Sequence, residues 1–202
     1  MIKYKFFLDL NKEEKWLNEM EKQGYQLVRK WSGYHFQRTE PEETNIRVDY
    51  RIFKKKEDFQ DYVALFADSG WTHIAGSKNS GAQYFRKNSE SSSEEIFSDS
   101  SSKAGRYKRM SEMWLSLACT YIPISIVFMM MDVNVFDVIF DPKSLYQTPG
   151  LWEKSGLAFL GAFLFETPFA FFRGFGFFIF PISIFLCCLF AIKAEKLYKT
   201  TR

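Results

Sequence analysis

Hydrophobic and polar positions are distributed differently in the two halves of the chain. Up to about residue 88, charged side chains interrupt the apolar runs, and apolar positions recur with the short periods of strands and amphipathic helices. After residue 112, long uncharged stretches rich in Phe, Ile and Leu take over. This pattern predicts an α+β soluble domain over residues 1–88 and a membrane region over residues 104–202.

Two stretches are long and apolar enough to be membrane spans. Residues 113–131 and 174–192 carry no charged side chain, and a helix of that length covers roughly 28 Å, about the thickness of a bilayer core. Pro123 and Pro181 are compatible with such helices because neighbouring groups can satisfy the freed carbonyls. We therefore expect an α-helical membrane hairpin.

The charges beside these stretches predict their orientation. Three cations lie within residues 106–109, before the first stretch, and four lie within residues 193–202, after the second. Cationic flanks stay on the cytoplasmic side, which places both termini in the cytoplasm and residues 132–155 outside the cell membrane. Residues 106–109 are interpreted as a juxtamembrane collar that faces anionic lipid.

Residues 156–172 are apolar apart from Glu166. A third span there would move the basic C-terminus outside, so we interpret this stretch as an interfacial or partly inserted segment that completes the outer region 132–173. Glu166 and Arg173 are two helical turns apart, and charges in a membrane region are candidate functional sites. We interpret them as a structural anchor, with sensing or pairing to a partner as the alternative.

The soluble part contains an internal repeat. A shift of 46 residues superimposes Gly24 on Gly70 and Val28 on Ile74, and each copy has the pattern strand, helix, strand, strand. The predicted fold is an antiparallel sheet with two helices on one face. The first copy is expected to have a strand over 3–8, a helix capped by Asn11 and ended by Gly24, and a hairpin of strands 26–30 and 34–38. The second is expected to have strands over 47–53, 71–75 and 83–86, with a helix over 58–68.

Residues 89–103 are rich in Ser and carry four acids against Lys103. This composition predicts a linker, because it buries too little apolar surface to offset the entropy of ordering. Ile96 and Phe97 are the apolar exceptions, and we expect them to pack on the soluble domain or on the first long helix. Phe97 is therefore a candidate coupling residue, whose release would free the domain on its tether.

Composition and spacing argue against several function classes. A net charge of +3 does not indicate a dedicated nucleic-acid binder. His35 and His73 have no partner at a catalytic spacing, and the three cysteines lie within the apolar stretches. We predict no catalytic, cofactor-binding or metal-binding residue. The Lys54–Lys56 run precedes acidic residues and is interpreted as a solvated turn rather than a lipid or nucleic-acid patch.

The soluble part has more aromatic residues than a core of its size requires. We expect most of them in the core. The alternative is an aromatic surface for a partner protein or an apolar ligand, with the candidates Trp31, Tyr34, Phe36 and Tyr84.

Several motifs, taken in order, resemble domain-of-unknown-function family 2812: Glu13-Glu-Lys-Trp-Leu17, Gly24-Tyr25, Val48-Asp-Tyr50, Gly70-Trp71, Tyr84-Phe-Arg86 and Arg106-Tyr-Lys-Arg-Met110. The resemblance covers residues 2–110. It implies a bacterial, mostly Gram-positive membrane protein, often encoded near PadR-type regulators, and it implies no reaction. Paired strand-helix-strand-strand units also build small-molecule-binding domains of the GyrI type, which is a likeness of architecture alone.

We expect a membrane-anchored, cytoplasm-facing module for protein interaction or sensory regulation, without catalytic activity. Its expected partners are the lipid bilayer and a protein, either a transcriptional regulator, an envelope protein or a second copy of the chain. The alternatives are a GyrI-like ligand-binding domain tethered to the membrane and an accessory subunit of a transporter complex. An open aromatic groove between the two copies would favour a ligand, and a filled one would favour a partner.

Overall fold

A computed structural model describes residues 1–88, 95–130 and 140–202. The chain forms two compact units, one of residues 1–113 with 190–202 and the other of residues 114–189. The first part of the predicted linker, residues 89–94, and much of the predicted outer loop, residues 131–139, lie outside the described residues.

The first unit contains two small antiparallel sheets and the helices that pack on them. In chain order its α+β elements are β1 (Ile2–Lys3), α1 (Leu10–Lys22), β2 (Tyr25–Lys30), β3 (Tyr34–Arg38), β4 (Ile46–Tyr50), α2 (Lys56–Asp68), β5 (Trp71–Ala75) and β6 (Ala82–Lys87).

The two sheets have the strand orders β1-β3-β2 and β4-β6-β5. Our expectation of one sheet is wrong in this respect: β2 and β5 lie beside each other, but the described strands form two separate ladders. Helix α1 packs against β2 and β4, and α2 packs against β5. Helix α1 therefore touches both sheets.

Local backbone geometry is alike in the two sheets. Gly24 and Gly70 directly follow the C-caps of α1 and α2 with φ of 78° and 82°. The predicted positive-φ caps are confirmed, because glycine enters this region without a Cβ clash. The pairing register also shifts at Val28 in β2 and at Ile74 in β5.

Two element boundaries differ from the sequence prediction. Strand β1 ends at Lys3 rather than near Leu8, because Lys3 pairs with Tyr34 and the partner strand β3 begins there, after the turn at 31–33. Helix α1 is capped by Asp9 rather than by Asn11. The Asp9 carboxylate accepts a hydrogen bond from the Asn11 amide at 3.0 Å, which satisfies one of the free N–H groups of the first turn.

The core of the first unit is largely aromatic. Phe53, Tyr62, Trp71 and Phe85 form one buried cluster, and Ile96 packs against it from the segment after β6. In the first sheet, the Trp16 ring meets Tyr34 edge-on at 4.8 Å between centroids and meets Phe36 in the same manner at 5.7 Å. Such edge-to-face pairs stabilise a core beyond their buried area.

Two helices are long and apolar enough to cross a membrane, α3 (Ser100–Met129) and α4 (Gly156–Thr201). Helix α3 begins at Ser100, inside the predicted linker. Helix α4 runs for 46 residues, so the stretch 156–172 and the apolar run 174–192 belong to one continuous helix. The interfacial or partly inserted position of 156–172 stays a prediction. The helix continues without interruption through Arg173 and Gly174, and it contains Pro168 and Pro181.

Within the first unit, the start of α3 lies antiparallel to the end of α4. The Ser100 hydroxyl donates to the Arg202 carbonyl at 3.3 Å, and the Ser111 hydroxyl donates to the Ala191 carbonyl at 3.0 Å. Ala104 and Ala194 are fully buried, as expected where two helices approach closely.

In the second unit, residues between two 3-10 turns (Pro142–Leu145 and Leu151–Glu153) pack on the first turns of α4. The Tyr146 ring stacks on Phe163 with an interplanar angle of 11°, and the Trp152 ring meets Tyr146 edge-on. The Tyr146 hydroxyl also lies 3.2 Å from the Thr167 hydroxyl.

Candidate functional site

A buried polar cluster joins helix α3 to the α+β fold of the first unit. We call it the arginine junction and define it as Arg106 and Arg109 of α3 with the residues that bind their guanidinium groups: Asn11, Glu14, Val48, Asp49 and Tyr50. The partners come from the first turns of α1 and from β4. The junction therefore connects three elements that are distant in sequence.

Arg106 is fully buried and holds two of these elements. Its guanidinium pairs with the Glu14 carboxylate, donates to the Val48 carbonyl at 2.6 Å and donates to the Asn11 side-chain oxygen at 2.6 Å. Glu14 in turn accepts the Val48 amide at 3.0 Å. A buried charge is costly unless it is paired and hydrogen-bonded. The position of Arg106 in the fold therefore depends on these particular partners.

Arg109, one turn further along α3, repeats the arrangement closer to the surface. Its guanidinium donates to the Tyr50 carbonyl at 2.5 Å and to the Asp49 carboxylate at 2.6 Å. The other Asp49 oxygen accepts the Tyr62 hydroxyl of α2 at 2.8 Å. Burial, together with the nearby Asp49 charge, raises the pKa of the Tyr62 hydroxyl, so it remains a donor. Helix α2 is thus included in the same network.

The interpretation of residues 106–109 as a lipid-facing collar is wrong for most of the run. Arg106 and Tyr107 are fully buried, Arg109 binds Asp49, and of the four residues only Lys108 is exposed. The Tyr107 hydroxyl donates to the Asp9 carboxylate at 3.0 Å, which fixes the cap of α1 to α3. The carboxylates that the domain buries are the reason, because they need these cations as partners.

Phe97 lies against the junction. Its half-buried ring faces the Arg106 guanidinium, with 5.2 Å between the guanidinium carbon and the ring centroid, which is a cation–π contact. A groove of about 390 Å³ opens beside it. It is lined by residues of β4, α2, the segment before α3 and the start of α3, among them Asp49, Tyr62, Phe66, Phe97 and Arg109. The predicted coupling residue therefore lies between an open groove and the buried ion pair.

A second buried carboxylate lies where α1 crosses from one sheet to the other. Glu13 accepts hydrogen bonds at 2.6 Å from the hydroxyls of Tyr34 in β3 and Tyr84 in β6, the central strands of the two sheets. Burial raises the pKa of the Glu13 carboxyl above its ordinary value of 4.5, although both tyrosine hydrogen bonds act in the opposite direction. The space between the sheets is therefore filled here by side chains.

The candidate aromatic surface of Trp31, Tyr34, Phe36 and Tyr84 does not exist as a set. Tyr34, Phe36 and Tyr84 are buried at 4% exposure or less, whereas Trp31 is 81% exposed. The three buried rings are held by Glu13 and Trp16, two residues on one face of α1. Period-two alternation placed them correctly on strands, but the face that α1 covers is set by tertiary packing.

Glu166 and Arg173 form an ion pair at 2.6 Å in the second unit. The Glu166 carboxylate also accepts the Thr148 hydroxyl at 2.7 Å and the Gln147 amide at 3.2 Å, and the Arg173 guanidinium binds the Leu145 carbonyl. The two charges that share a helical face therefore hold residues 145–148 onto α4. The structure brings them together as the spacing indicated.

The described part of the chain contains few groups arranged for metal binding or acid–base chemistry. No group of three or more His, Cys, Asp or Glu residues there could hold a metal ion. His73 is partly buried with its ring nitrogen 3.0 Å from the Gln83 side chain, and burial lowers its pKa. Its ring also contacts the apolar rings of Phe59 and Phe85 edge-on.

The arginine junction was not predicted from the sequence, although a signal for it is present there. Ala104, Tyr107 and Met110 recur at helical spacing through the cationic run and are all buried. This apolar stripe indicates a helix face that packs on protein. The adjacent acids Glu13 and Glu14 of α1 are both at least 95% buried, so they need polar or cationic partners.

The fold and the junction define a class of protein: a small two-sheet α+β domain fixed by Arg106 and Arg109 to the first of two long apolar helices. The family model described as Protein of unknown function (DUF2812) matches residues 9–119, and the chain belongs to this family. The matched segment includes both sides of the arginine junction, from Asp9 to the middle of α3. Searches of curated proteins and of solved structures gave no match.

Proposed function

We propose that this protein is a membrane-anchored, cytoplasm-facing module that binds a protein partner through its α+β domain and passes that event to the membrane helix α3. The arginine junction carries this proposal. Arg106 and Arg109 lie on the same helix as the apolar residues from Met113 onward, and they bind the backbone of β4 directly. A shift of β4 or α1 therefore acts on a rigid helix rather than on a flexible tether.

The antiparallel contact between α3 and α4 supports the proposed topology. Residues 100 and 202 lie side by side, as do residues 111 and 191. Two helices paired in this way would enter a bilayer from the same face, with both termini in the cytoplasm. The same element order in the two sheets, the matching Gly24 and Gly70 caps and the shared bulge position support an internal duplication.

The contact of Glu13 with Tyr34 and Tyr84 favours a protein partner over a ligand held between the sheets. That position is filled by buried, hydrogen-bonded side chains. A second candidate function is supported by the 390 Å³ groove beside Phe97, whose volume and mixed aromatic and charged lining fit a small ligand. Such a ligand would bind beside the arginine junction, and it would therefore act on helix α3 in the same way as a protein partner.

Capture of the full-length protein from mild detergent tests the proposal, with mass spectrometry of co-purified proteins and small molecules. We expect a protein partner that is retained by the wild type and by the exposed-site control Lys108→Ala. Arg109→Gln leaves the apolar stretches intact, and it should change the amount of partner that co-purifies, up to complete release. Labelling of a Lys143→Cys variant from outside intact cells checks the topology, because this residue should be accessible and a cysteine at Thr200 should not.

A further inference from the structure

We propose that one end of the first sheet docks on the headgroup region of an anionic bilayer. We call it the aromatic-basic end and define it as Lys3–Phe6 with Arg29–Gly33, which are the last two residues of β2 and the turn after it. The inference goes beyond partner binding, and it rests on the proposed entry of α4 into that bilayer. The occupant is the surface of the same membrane.

The direction of the chain identifies this end. Arg106 binds the carbonyl of Val48 and Arg109 binds that of Tyr50, so α3 and β4 run in the same direction. Helix α1 runs opposite to both, because its Asn18 binds Ile46 and its Glu14 binds Val48. The N-terminal end of α1, and the residues Tyr4–Phe6 that lead into it, therefore lie on the side toward which α3 continues into its apolar stretch.

A direct contact places this end at the level where an apolar stretch ends. The Phe6 ring lies 5.4 Å from that of Phe190, within the first unit. Phe190 is near the end of the uncharged run 174–192, and Lys193 follows it. The boundary between apolar and charged residues on a spanning helix marks the membrane–water interface.

Three large aromatic side chains are exposed here. Tyr4, Phe6 and Trp31 have exposures of 75%, 64% and 81%. Tyr4 and Trp31 belong to one end of the sheet, because a Cβ added at Gly33 of the turn would lie 3.1 Å from the Tyr4 ring and 3.0 Å from Ile2, and Phe6 is two residues after Tyr4. Aromatic residues clustered in this way, and Trp and Tyr above all, are typical of the headgroup level of a bilayer.

All charged residues within the aromatic-basic end are cations. Lys3, Lys5, Arg29 and Lys30 lie among them, and residues 1–8 and 25–36 contain no acid. The Lys30 ammonium lies over the Tyr34 ring, 4.3 Å from its centroid, and the Glu13 carboxylate that binds the Tyr34 hydroxyl is buried. At the opposite end, the loop between β3 and β4 carries Glu40, Glu42 and Glu43. The domain thus has a basic end on the side of Phe190 and an acidic end on the opposite side, which is the polarity that an anionic leaflet favours.

Fluorescent labels at three sites test this arrangement in full-length protein, with the native cysteines replaced by alanine. Ser32→Cys reports the aromatic-basic end, Glu42→Cys reports the acidic end, and Ile182→Cys reports the apolar part of α4. The protein is placed in nanodiscs of phosphatidylcholine with or without phosphatidylglycerol. Quenching by a headgroup spin label is measured for the first two sites, and quenching by an acyl-chain spin label for the third.

We expect quenching at Ser32 that increases with phosphatidylglycerol, with none at Glu42. Trp31→Ser should reduce it, and Arg29→Glu should lower the ratio of docked to free domain on the order of fivefold. Both positions are exposed, so neither change disturbs the core. Quenching at Ile182 without any at Ser32 would overturn the docking and leave the membrane anchoring intact, whereas no quenching at Ile182 would remove the anchoring and the docking together. A Ser32 label shielded equally in lipid-free detergent would also overturn it, because protein would then cover the site.

Discussion

Arg106 and Glu14 form a buried ion pair across 92 residues of chain. The pair joins the first turn of the first helix to the helix that continues into an apolar stretch. Neither charge has water to solvate it, so each depends on the other and on the hydrogen bonds to Val48 and Asn11. The α+β fold and the start of α3 are therefore one structural body.

Removal of one charge from this pair should destabilise the first unit. Arg106→Ala leaves the Glu14 carboxylate buried and unpaired, and we expect a loss of about 3–5 kcal/mol in the free energy of unfolding. Thermal unfolding of the full-length protein in detergent measures it. Lys108→Ala, two residues away and exposed, is the matched control and should change stability by less than about 0.5 kcal/mol. The double variant Glu14→Gln/Arg106→Met should recover most of the loss; similar melting of Arg106→Ala and wild type would show that the pair contributes little.

Glu13 should make stability depend on pH. Its pKa is raised by burial, so the folded carboxyl holds its proton more tightly than the unfolded one. This difference in pKa stabilises the folded protein in full below about pH 4.5, the ordinary pKa of the carboxyl. The contribution to the free energy of unfolding is lost as the pH rises through the raised pKa. Glu13→Gln, which still accepts from Tyr34 and Tyr84, should lack this loss, and its advantage in melting temperature over the wild type should grow with pH. Glu19→Gln, at an exposed position of the same helix, should show no such trend; an identical trend in both would exclude Glu13 as the source.

Valine at either helix cap should be poorly tolerated. Gly24→Val and Gly70→Val force a β-branched residue to φ near 80°, and we expect each to cost about 1 kcal/mol or more. At Gly24 an added Cβ would also lie 2.7 Å from the Thr39 carbonyl oxygen. Gly161→Ala is the control, since it lies inside α4 with no other atom within 4 Å of its added Cβ. Unchanged melting of both cap variants would contradict the cap argument.

The ion pair of α4 should hold the segment of residues 145–148. Arg173→Ala removes the contacts to Glu166 and to the Leu145 carbonyl, so amide hydrogen exchange over 144–148 should accelerate. Lys154→Ala, an exposed change in the same region, should leave exchange as it is. Equal exchange in wild type and Arg173→Ala would show that the aromatic packing of Tyr146 and Trp152 is sufficient to hold the segment.

Phe97→Ser tests the coupling residue. Loss of the ring from the Arg106 guanidinium should accelerate hydrogen exchange over residues 95–100 and at the start of α3. Leu65→Ser, an exposed change on the facing helix α2, serves as the control. Fast exchange in this segment for both wild type and Phe97→Ser would mean that it is only a tether, and the coupling hypothesis would have to be abandoned.

The sequence alone was enough for the elements that depend on neighbouring residues. Period-two alternation located β2, β3, β5 and β6 within a residue or two, and the glycines at 24 and 70 located the ends of α1 and α2, because backbone geometry there is decided locally. The long uncharged runs likewise identified the two helices that could cross a membrane. The spacing of Glu166 and Arg173 indicated a shared face, because residues two turns apart lie on the same side of any α-helix.

Tertiary structure decided where the charges and rings go. In the sequence, Arg106 has the position of a lipid-facing cation, but the fold brings the carboxylates of α1 and β4 to the start of α3. Tyr34, Phe36 and Tyr84 are candidates for a surface in the sequence, but helix α1 covers them in the fold. Whether the six described strands form one sheet or two depends on the edge between β2 and β5, which no local pattern encodes. The physical reason is the same in each case: burial and pairing are properties of residues far apart in sequence, and their free energies are set only when the chain has brought them together.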